Sequence, residues 1–272
     1  MNATRKSSTA KKKGGGWTEL LVSLVEALII AVVIRTLLFQ PFSIPSGSME
    51  PTLLVGDYLF VTKYSYGYSR YSIPFAPPLF SGRIFASPPE RGDVVVFRHK
   101  DPRNGDLDFI KRLIGLPGDK IQVKDGRLYI NGTEVKREPT DDFVGEDPCP
   151  KDGPTLSFLA NRTVHVKRFR ETLPNGRSYD TLACTPRRLE EGELDPNNTP
   201  VYEVPPGHYF FMGDNRNNSE DSRFPDVSFV SSDLLIGHAR IIFFSLEGGS
   251  PAWQIWNWPW DIRWSRLFNI IH

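Results

Sequence analysis

Residues 121–135 read IQVKDGRLYINGTEV, and this stretch decides the fold class. Apolar and polar residues alternate within its short runs, which is typical of strands with one buried face. Asp125-Gly126 and Asn131-Gly132 separate those runs. Asp-Gly and Asn-Gly are the pairs that type I′ hairpin turns favour, because both central residues of such a turn take a positive φ. The stretch therefore predicts antiparallel strands joined by tight turns.

Other runs of β-branched and aromatic residues predict further strands, at 57–62, 93–98, 209–212 and 239–244. No clear helical periodicity lies between them, so we expect a mostly β, antiparallel outer domain. Two stretches interrupt this pattern. Residues 64–90 are rich in proline and aromatic residues and predict a long loop, whereas residues 139–200 are polar and predict an inserted β subdomain.

An apolar segment of membrane-spanning length, LLVSLVEALIIAVVIRTLLF, covers residues 20–39. About twenty residues at roughly 1.5 Å each span a hydrocarbon core of roughly 30 Å. Five basic residues precede the segment and none follows it until Lys63, which places the N-terminus in the cytoplasm and the bulk outside. The bulky residues 39–42 argue against a cleaved signal peptide. We predict a single uncleaved transmembrane helix, in preference to a buried helix of a soluble protein.

The bulk composition limits the partners and cofactors to expect. A formal net charge of +1 gives no reason to expect nucleic acid as a partner. The histidines are scattered and no metal-ligand spacing occurs, so we expect no metal and no cofactor. Cys149 and Cys184 are the two cysteines, and they suit either one disulfide in an oxidising compartment or two unpaired thiols.

Ser48 lies in the stretch PSGSMEPTLL, residues 45–54, shortly after the apolar segment. No Gly-x-Ser-x-Gly motif surrounds it and no histidine is near it in sequence, which favours a base other than histidine if this serine is a nucleophile. Lys111 lies in an apolar run, residues 108–115. A free lysine, with a pKa of about 10.4, is protonated at neutral pH, but burial lowers that pKa. Taken alone, each residue also fits a plain reading, as a turn serine and a solvated strand lysine.

A third stretch, MGDNRNNSEDSR at 212–223, is dense in polar residues and follows an apolar strand directly. These three stretches, in this order and after a membrane anchor, resemble type I bacterial signal peptidases. The resemblance covers 39–62, 91–135 and 207–245. The chain departs from the family pattern at Asn217, where many relatives have aspartate, and at 225–226, where Pro-Asp replaces a commoner Trp-Gly.

The resemblance implies a role for individual residues. Ser48 would be the acylated nucleophile, and Lys111 its general base and later the activator of the deacylating water. Ser46 would donate to the oxyanion beside the Ser48 N–H, and Ser219 would orient the lysine. The charged network behind the site would comprise Arg112, Asp214, Asp221 and Arg223. The walls of the substrate pockets would comprise Phe42, Ile44, Met49, Leu53, Phe109 and Ile110, with core packing as the plain reading of Leu53 and Ile110.

The sequence patterns and the resemblance together predict a domain layout. Residues 1–16 would be a cytoplasmic basic tail and 17–39 the transmembrane anchor. Residues 40–138 and 201–272 would form the catalytic β domain, with 139–200 inserted into it. The late tryptophans would form an interfacial patch or else be ordinary aromatics, and they are Trp253, Trp256, Trp258, Trp260 and Trp264.

The function implied is that of a membrane-bound serine endopeptidase. It would remove signal peptides from exported preproteins at the outer face of a bacterial inner membrane, cutting after a small-x-small pattern. Its partners would be preprotein signal peptides and membrane lipid, with a monomer favoured and no nucleic acid. Three alternatives stay open: a specialised Ser/Lys peptidase of a pilus or conjugation system, an anchored binding domain that uses residues 64–90, and, disfavoured by the anchor, a soluble self-cleaving repressor.

Overall fold

The computed structural model describes residues 16–101, 105–149, 163–184, 193–247, 254–256 and 258–272. The basic tail up to residue 15 and Trp253 lie outside the described residues, as does much of the polar part of 139–200.

Two α-helices and sixteen strands make up the described chain. The helices are α1 (Trp17–Leu37) and α2 (Trp258–Asp261). The strands are β1 (Phe39–Ser43), β2 (Asp57–Thr62), β3 (Val94–Asp101), β4 (Gly105–Gly115), β5 (Lys120–Lys124), β6 (Arg127–Ile130), β7 (Thr133–Glu134), β8 (Lys136–Pro139), β9 (Phe143–Glu146), β10 (Thr163–Thr172), β11 (Ser178–Ala183), β12 (Tyr202–Glu203), β13 (His208–Met212), β14 (Val230–Ser231), β15 (Leu235–Ser245) and β16 (Asn269–Ile270).

These strands form three sheets. The main sheet has the order β1-β2-β15-β3-β4-β13-β14, with β16 added beside β15. The second sheet has the order β11-β10-β8, with β9 also on β10, and the third has the order β12-β5-β6-β7. All pairings between these strands are antiparallel. The predicted mostly β fold behind one N-terminal apolar helix is therefore confirmed.

The hairpin stretch folds as its turns predict. β5 and β6 are joined at Asp125-Gly126, and β6 and β7 at Asn131-Gly132. All four turn residues have a positive φ, between 47° and 80°, the left-handed conformation that type I′ turns require. The other predicted strands also form. β15 extends beyond the predicted 239–244 at both ends because it pairs with β2 and β3 in the centre of the main sheet.

The predicted loop at 64–90 is held to the main sheet. It contains part of a short 3₁₀ helix at Lys63–Tyr66, a second one at Arg70–Ser72, and a bridge between Tyr68 and Ile84. The Arg83 guanidinium donates to four backbone carbonyl oxygens, including those of Ser232 and Leu235 beside the sheet. The bridge and the Arg83 hydrogen bonds therefore anchor most of this segment, while Phe75, Leu79 and Phe85 remain exposed.

The helix α1 is long and apolar enough to cross a membrane, and none of its side chains is buried in the protein. Its end is attached to the β domain by two hydrogen bonds. The Lys63 N–H donates to the Leu38 carbonyl oxygen at 3.0 Å, and the Tyr68 hydroxyl donates to the Leu37 carbonyl oxygen at 2.7 Å. The chain then enters β1 directly.

The second sheet is made by residues 136–183, and it starts slightly before the insertion expected at 139. Its strands pair among themselves, with β10 at the centre. The division into a catalytic domain and an inserted subdomain stays a prediction. β12, from the region after the insertion, pairs with β5 from the region before it and completes the third sheet.

Candidate active site

Ser48 is placed by the end of β1 and the short 3₁₀ helix Gly47–Met49. Ile44 and Met49 flank it in sequence and are buried in the core cluster against Leu59 and Val61 of β2. Burial of these apolar side chains fixes the loop from both sides, since each is worth roughly 1.5–3 kcal/mol when fully buried. Ser48 itself is nearly buried, with 8% of its surface exposed.

Lys111 reaches Ser48 from the middle of the main sheet. Its strand β4 lies between β3 and β13, with Lys111 opposite Val95. The Lys111 Nζ lies 2.8 Å from the Ser48 Oγ and 3.1 Å from the Ile110 carbonyl oxygen. The structure therefore joins two residues that are separated by 63 positions in the chain.

The environment of Lys111 favours the neutral amine. The residue is 5% exposed, and the Phe109 ring lies beside it, 5.2 Å from Nζ to the ring centroid. Burial lowers the pKa of Lys111 from 10.5 to about 8, against the opposing effect of the carboxylates of Asp221, Glu220 and Asp214. Desolvation penalises the ammonium form, so burial is the dominant cause. The amine can therefore accept a proton at mildly alkaline pH.

Ser46 lies on the open side of Ser48. Its Oγ is 3.5 Å from the Ser48 Oγ, at the outer limit of a hydrogen bond. Its side chain is exposed, unlike that of Ser48. A hydroxyl at this position can rotate towards an oxygen that develops charge next to Ser48.

Ser219 is close to the Ser48 backbone but makes no hydrogen bond to Lys111 in the described structure. Within the described chain its buried Oγ has no hydrogen-bond partner of ordinary geometry. Gly213 separates Ser219 from the Ser48 loop: a Cβ at Gly213 would lie 2.2 Å from the Ser219 Oγ and 2.5 Å from the Ser48 carbonyl oxygen. The glycine thus permits close packing, while Lys111 Nζ uses Ser48 and Ile110 as its acceptors.

The four residues of the expected charged network form two buried pairs. Arg112 holds Asp214 with two hydrogen bonds of 2.8 Å, and Arg223 holds Asp221 in the same way. Each of the four side chains is at most 1% exposed. Bidentate guanidinium–carboxylate pairs of this kind combine charge with fixed geometry. They immobilise the polar loop that follows β13.

A third buried pair was not anticipated from the sequence. Arg216 of the same loop holds Glu171 of β10 at 2.8 and 2.5 Å, and the Tyr179 hydroxyl bonds both groups. This pair ties the second sheet to the catalytic region. Arg216 stands in the quoted polar run, but its partner is 45 residues away, and no local signal connects them.

A groove of about 420 Å³ opens beside Ser48 and Lys111. Four of the residues expected to form its walls line it, namely Phe42, Ile44, Phe109 and Ile110. Met49 and Leu53 do not; both are fully buried in the core cluster behind the groove. Asp108 and Glu220 add acidic side chains to the lining.

The two cysteines form a disulfide, Cys149–Cys184, which settles the alternative that the sequence left open. Among the described residues, no group of three or more His, Cys, Asp or Glu side chains is arranged to hold a metal ion.

Comparison with known proteins places the chain among peptidases. Residues 17–244 match the family described as "Signal peptidase, peptidase S26". The chain is 43% identical over 283 residues to signal peptidase I of Rickettsia typhi (strain ATCC VR-144 / Wilmington), covering 99% of this chain and 97% of that protein. It is 44% identical over 264 residues to signal peptidase I of Rickettsia prowazekii (strain Madrid E), covering 92% of each. The protein therefore belongs to the signal peptidase family, peptidase S26.

A solved structure is also similar in sequence. The crystal structure of a signal peptidase I from Enterococcus faecalis V583 shares 26% identity with the chain, covering 56% of this chain and 97% of that one, with a TM-score of 0.28.

Proposed function

We propose that this protein is a membrane-bound serine endopeptidase that removes N-terminal signal peptides from exported preproteins through a Ser48/Lys111 dyad. The observation that carries the proposal is the 2.8 Å distance between Lys111 Nζ and Ser48 Oγ in a nearly buried site. Membership of the signal peptidase family supports the substrate class. The lowered pKa of Lys111, about 8, supports the amine as the base.

The proposed reaction has two halves. The neutral Lys111 amine takes the Ser48 Oγ proton as that oxygen attacks the scissile carbonyl carbon. The Ser48 N–H and the Ser46 hydroxyl stabilise the resulting oxyanion, where one such donor is typically worth about 3–4 kcal/mol of barrier. The ammonium of Lys111 then protonates the leaving amine of the mature protein. Lys111 then deprotonates a water molecule, which attacks the ester carbon of the acyl-enzyme. The bond to Ser48 Oγ breaks, that oxygen takes the proton back from Lys111, and the signal peptide leaves as a carboxylate.

The groove beside the dyad supports a preference for small residues. Phe42, Ile44, Phe109 and Ile110 line it beside Ser48, and these apolar walls would accept small side chains such as alanine at the first and third positions before the cut. A preprotein with Ala-x-Ala before its cleavage site should be cut there by the purified full-length protein. Replacing the last alanine with leucine should abolish that cut, as measured by mass spectrometry of both products.

The same experiment separates general from specialised processing. A panel of unrelated preproteins with small-x-small sites should all be cleaved. Cleavage of one panel member alone would favour the specialised peptidase, and cleavage at the leucine variant with an unchanged rate would contradict the proposed pocket.

The proposed location is the outer face of a bacterial inner membrane, with the N-terminus in the cytoplasm. The apolar α1 supports anchoring. Exposed tryptophans at Trp256, Trp260 and Trp264, together with half-buried Trp258, support a surface in the headgroup region. A row of aromatic side chains starts at Phe39, the first residue of β1, which contacts Phe60 edge-on, and Phe60 stacks on Phe243. Through such a surface, a monomer would contact membrane lipid and the preproteins held in the membrane.

The pH dependence of cleavage reports the proposed base. Lys111 must be neutral to accept a proton, so kcat/KM should rise with pH and level off above about 8, the pKa of Lys111. An acidic limb near about 10.4, the value of free lysine, would contradict a desolvated base.

Lys63 provides the matched control for that profile. It is also buried, its pKa is also lowered to about 8, chiefly by burial, and its amine donates to the Ser72 carbonyl oxygen rather than to Ser48. The variant Lys63→Met should keep the acidic limb unchanged. If the acidic limb disappears in this variant, the limb reports the titration of Lys63 and not that of Lys111.

A further inference from the structure

Asn215 connects the loop of Ser48 to the second sheet. It is fully buried, with 0% of its surface exposed. Its backbone N–H donates to the Ser48 carbonyl oxygen at 3.2 Å. Its side-chain Nδ2 donates to the Gly47 carbonyl oxygen at 3.2 Å and to the Pro148 carbonyl oxygen at 2.7 Å. One residue thus contacts the nucleophile loop on one side and the segment after β9 on the other.

The chemistry of these contacts requires an amide. Both partners of Nδ2 are carbonyl oxygens, which only accept, so the nitrogen must face them. An asparagine NH₂ group has two hydrogens and satisfies both oxygens. A carboxylate of the same shape offers no donor and would place acceptor against acceptor. Alanine would leave the Gly47 carbonyl oxygen without this donor, which costs a hydrogen bond at that oxygen. The Pro148 carbonyl oxygen would keep the Asn218 amide as a donor but lose its link to the Ser48 loop.

The Cys149–Cys184 disulfide lies beside Asn215, on the side that contacts the second sheet. Pro148 precedes Cys149, which is bonded to Cys184 at the end of β11. The Cys184 Sγ lies 3.5 Å from the Asn215 Oδ1. Leu182 and Asn215 form a bridge through bonds from the Leu182 N–H to Asp214 and from the Arg216 N–H to Leu182. The two chain segments that touch Asn215 from the second sheet are therefore covalently joined.

We propose that Asn215 is a positioning residue for the Ser48 nucleophile and that the Cys149–Cys184 disulfide holds the segment on which Asn215 depends. This inference rests on the proposed function for its catalytic consequence. The loop Gly47–Ser48 is held towards Lys111 by the Asn215 amide, and the amide is held by Pro148. Breaking either link lets the Ser48 Oγ move away from the Lys111 amine without altering that amine.

The first test replaces Asn215 in the full-length protein. Asn215→Ala and Asn215→Asp should each lower kcat for preprotein cleavage about 10- to 100-fold, because small displacements of a nucleophile carry losses of that order. KM should change less than about threefold, since Asn215 does not line the groove. In Asn215→Ala the acidic limb of the pH profile should stay in place, because the two hydrogen-bond acceptors of Lys111 Nζ, the Ser48 hydroxyl and the Ile110 carbonyl oxygen, do not belong to Asn215.

Asn217 supplies the matched control. It belongs to the same polar loop, but its amide donates to Asn197 rather than to the Ser48 loop or Pro148. Asn217→Ala should retain the wild-type kcat. Equal losses in the two alanine variants would overturn the positioning role, as would a wild-type kcat in both Asn215 variants.

The second test breaks the disulfide. The double variant Cys149→Ser/Cys184→Ser should lower kcat in the same range as Asn215→Ala. Combining all three substitutions should give little further loss, because coupled residues are not additive. Full additivity, or a wild-type kcat in the double cysteine variant, would overturn the link between the disulfide and Asn215.

A readout independent of cleavage distinguishes this inference from the proposed function. Hydrogen exchange of the backbone over residues 45–54 should accelerate in Asn215→Ala and in the double cysteine variant, but not in Asn217→Ala. If the wild-type protein cleaves no preprotein, but exchange is still faster in Asn215→Ala, the proposed function is wrong and the positioning role stands. If exchange is unchanged and every variant cleaves preprotein at the wild-type rate, the positioning role is wrong and the proposed function stands.

Discussion

Replacing Ser48 with alanine should abolish preprotein cleavage, and Lys111→Ala should have the same effect. The first substitution removes the oxygen that forms the acyl-enzyme, and the second leaves that oxygen, 2.8 Å away in the native protein, without a base. Loss of a nucleophile or its base lowers kcat by on the order of 10⁴-fold or more. The measurement is the single-turnover rate of signal peptide release with enzyme in excess over a labelled preprotein.

Two controls make this result specific. Both variants should keep the wild-type melting temperature within a few degrees and an intact Cys149–Cys184 disulfide, which excludes unfolding. Lys63→Met, which removes the other buried lysine of lowered pKa, should cleave at a rate close to wild type. Retained cleavage in Ser48→Ala would refute Ser48 as the nucleophile. No cleavage by the wild-type protein, with partner binding that is indifferent to Ser48→Ala, would favour the anchored binding domain.

Asp221→Ala should strongly destabilise the folded protein. Arg223, Asp221 and their two hydrogen bonds are almost completely buried, so removal of the carboxylate leaves a buried guanidinium uncompensated. Breaking such a pair costs about 3–5 kcal/mol. The loss should appear as a lower urea midpoint for the full-length protein in detergent. It should also weaken catalysis, because Asp221 accepts the Gly213 N–H beside the Ser48 loop.

An exposed pair provides the comparison. Arg127 and Glu134 pair on the solvent face of the third sheet, with 52% and 40% of their side chains exposed, where screening by water makes ion pairs weak. Glu134→Ala should therefore barely move the urea midpoint. A midpoint in Asp221→Ala that matches the one in Glu134→Ala would contradict a structural role for the buried pair.

The stability of the buried pair should also depend on pH. Burial acts to raise the pKa of Asp221, but Arg223 and the Gly213 N–H outweigh it and the pKa is lowered. A carboxyl group with a lowered folded-state pKa stabilises the fold above its unfolded pKa of about 3.9, and that contribution is lost as the pH falls through the folded value. The difference in unfolding free energy between wild type and Asp221→Ala should accordingly shrink in acid.

Local chemistry made the strands and turns readable from sequence. Asp125-Gly126 and Asn131-Gly132 impose backbone conformations that few other pairs adopt, so the hairpins formed where they were expected. The apolar helix was equally clear, because membrane-spanning length is a property of consecutive residues. Lys111 was singled out by its apolar neighbours together with the other two stretches, and the structure places Phe109 beside its amine; its role as the base stays a proposal.

Contacts between distant residues were not readable in the same way. Glu171 and Arg216 are 45 positions apart, and Cys149 and Cys184 are 35 apart. The residues around each member of a pair do not indicate its partner, because the pairing depends on how the second sheet packs against the polar loop that follows β13. Asn215 was overlooked for the same reason, since its role depends on Gly47 and Pro148 together.

The groove shows a different limit. Sequence pattern marks a residue as apolar but does not say which side of a loop it faces. Met49 and Leu53 flank the nucleophile as Phe42 and Ile44 do, yet both turn into the core and only the latter two line the groove. Ser219 likewise is near the dyad without a hydrogen bond to Lys111 in the described structure.

The bonds from Tyr68 and Lys63 to the last residues of α1 have a geometric consequence for the proposed enzyme. A catalytic domain on a free tether would sample many heights above the bilayer. Here α1 passes into β1 after one residue, so in the proposed enzyme Ser48 would stay at one height above the bilayer. A signal peptide whose apolar core is held in the same bilayer would present one short stretch of its chain at that height. Position along the chain, as well as side-chain size, would then select the bond that is cut.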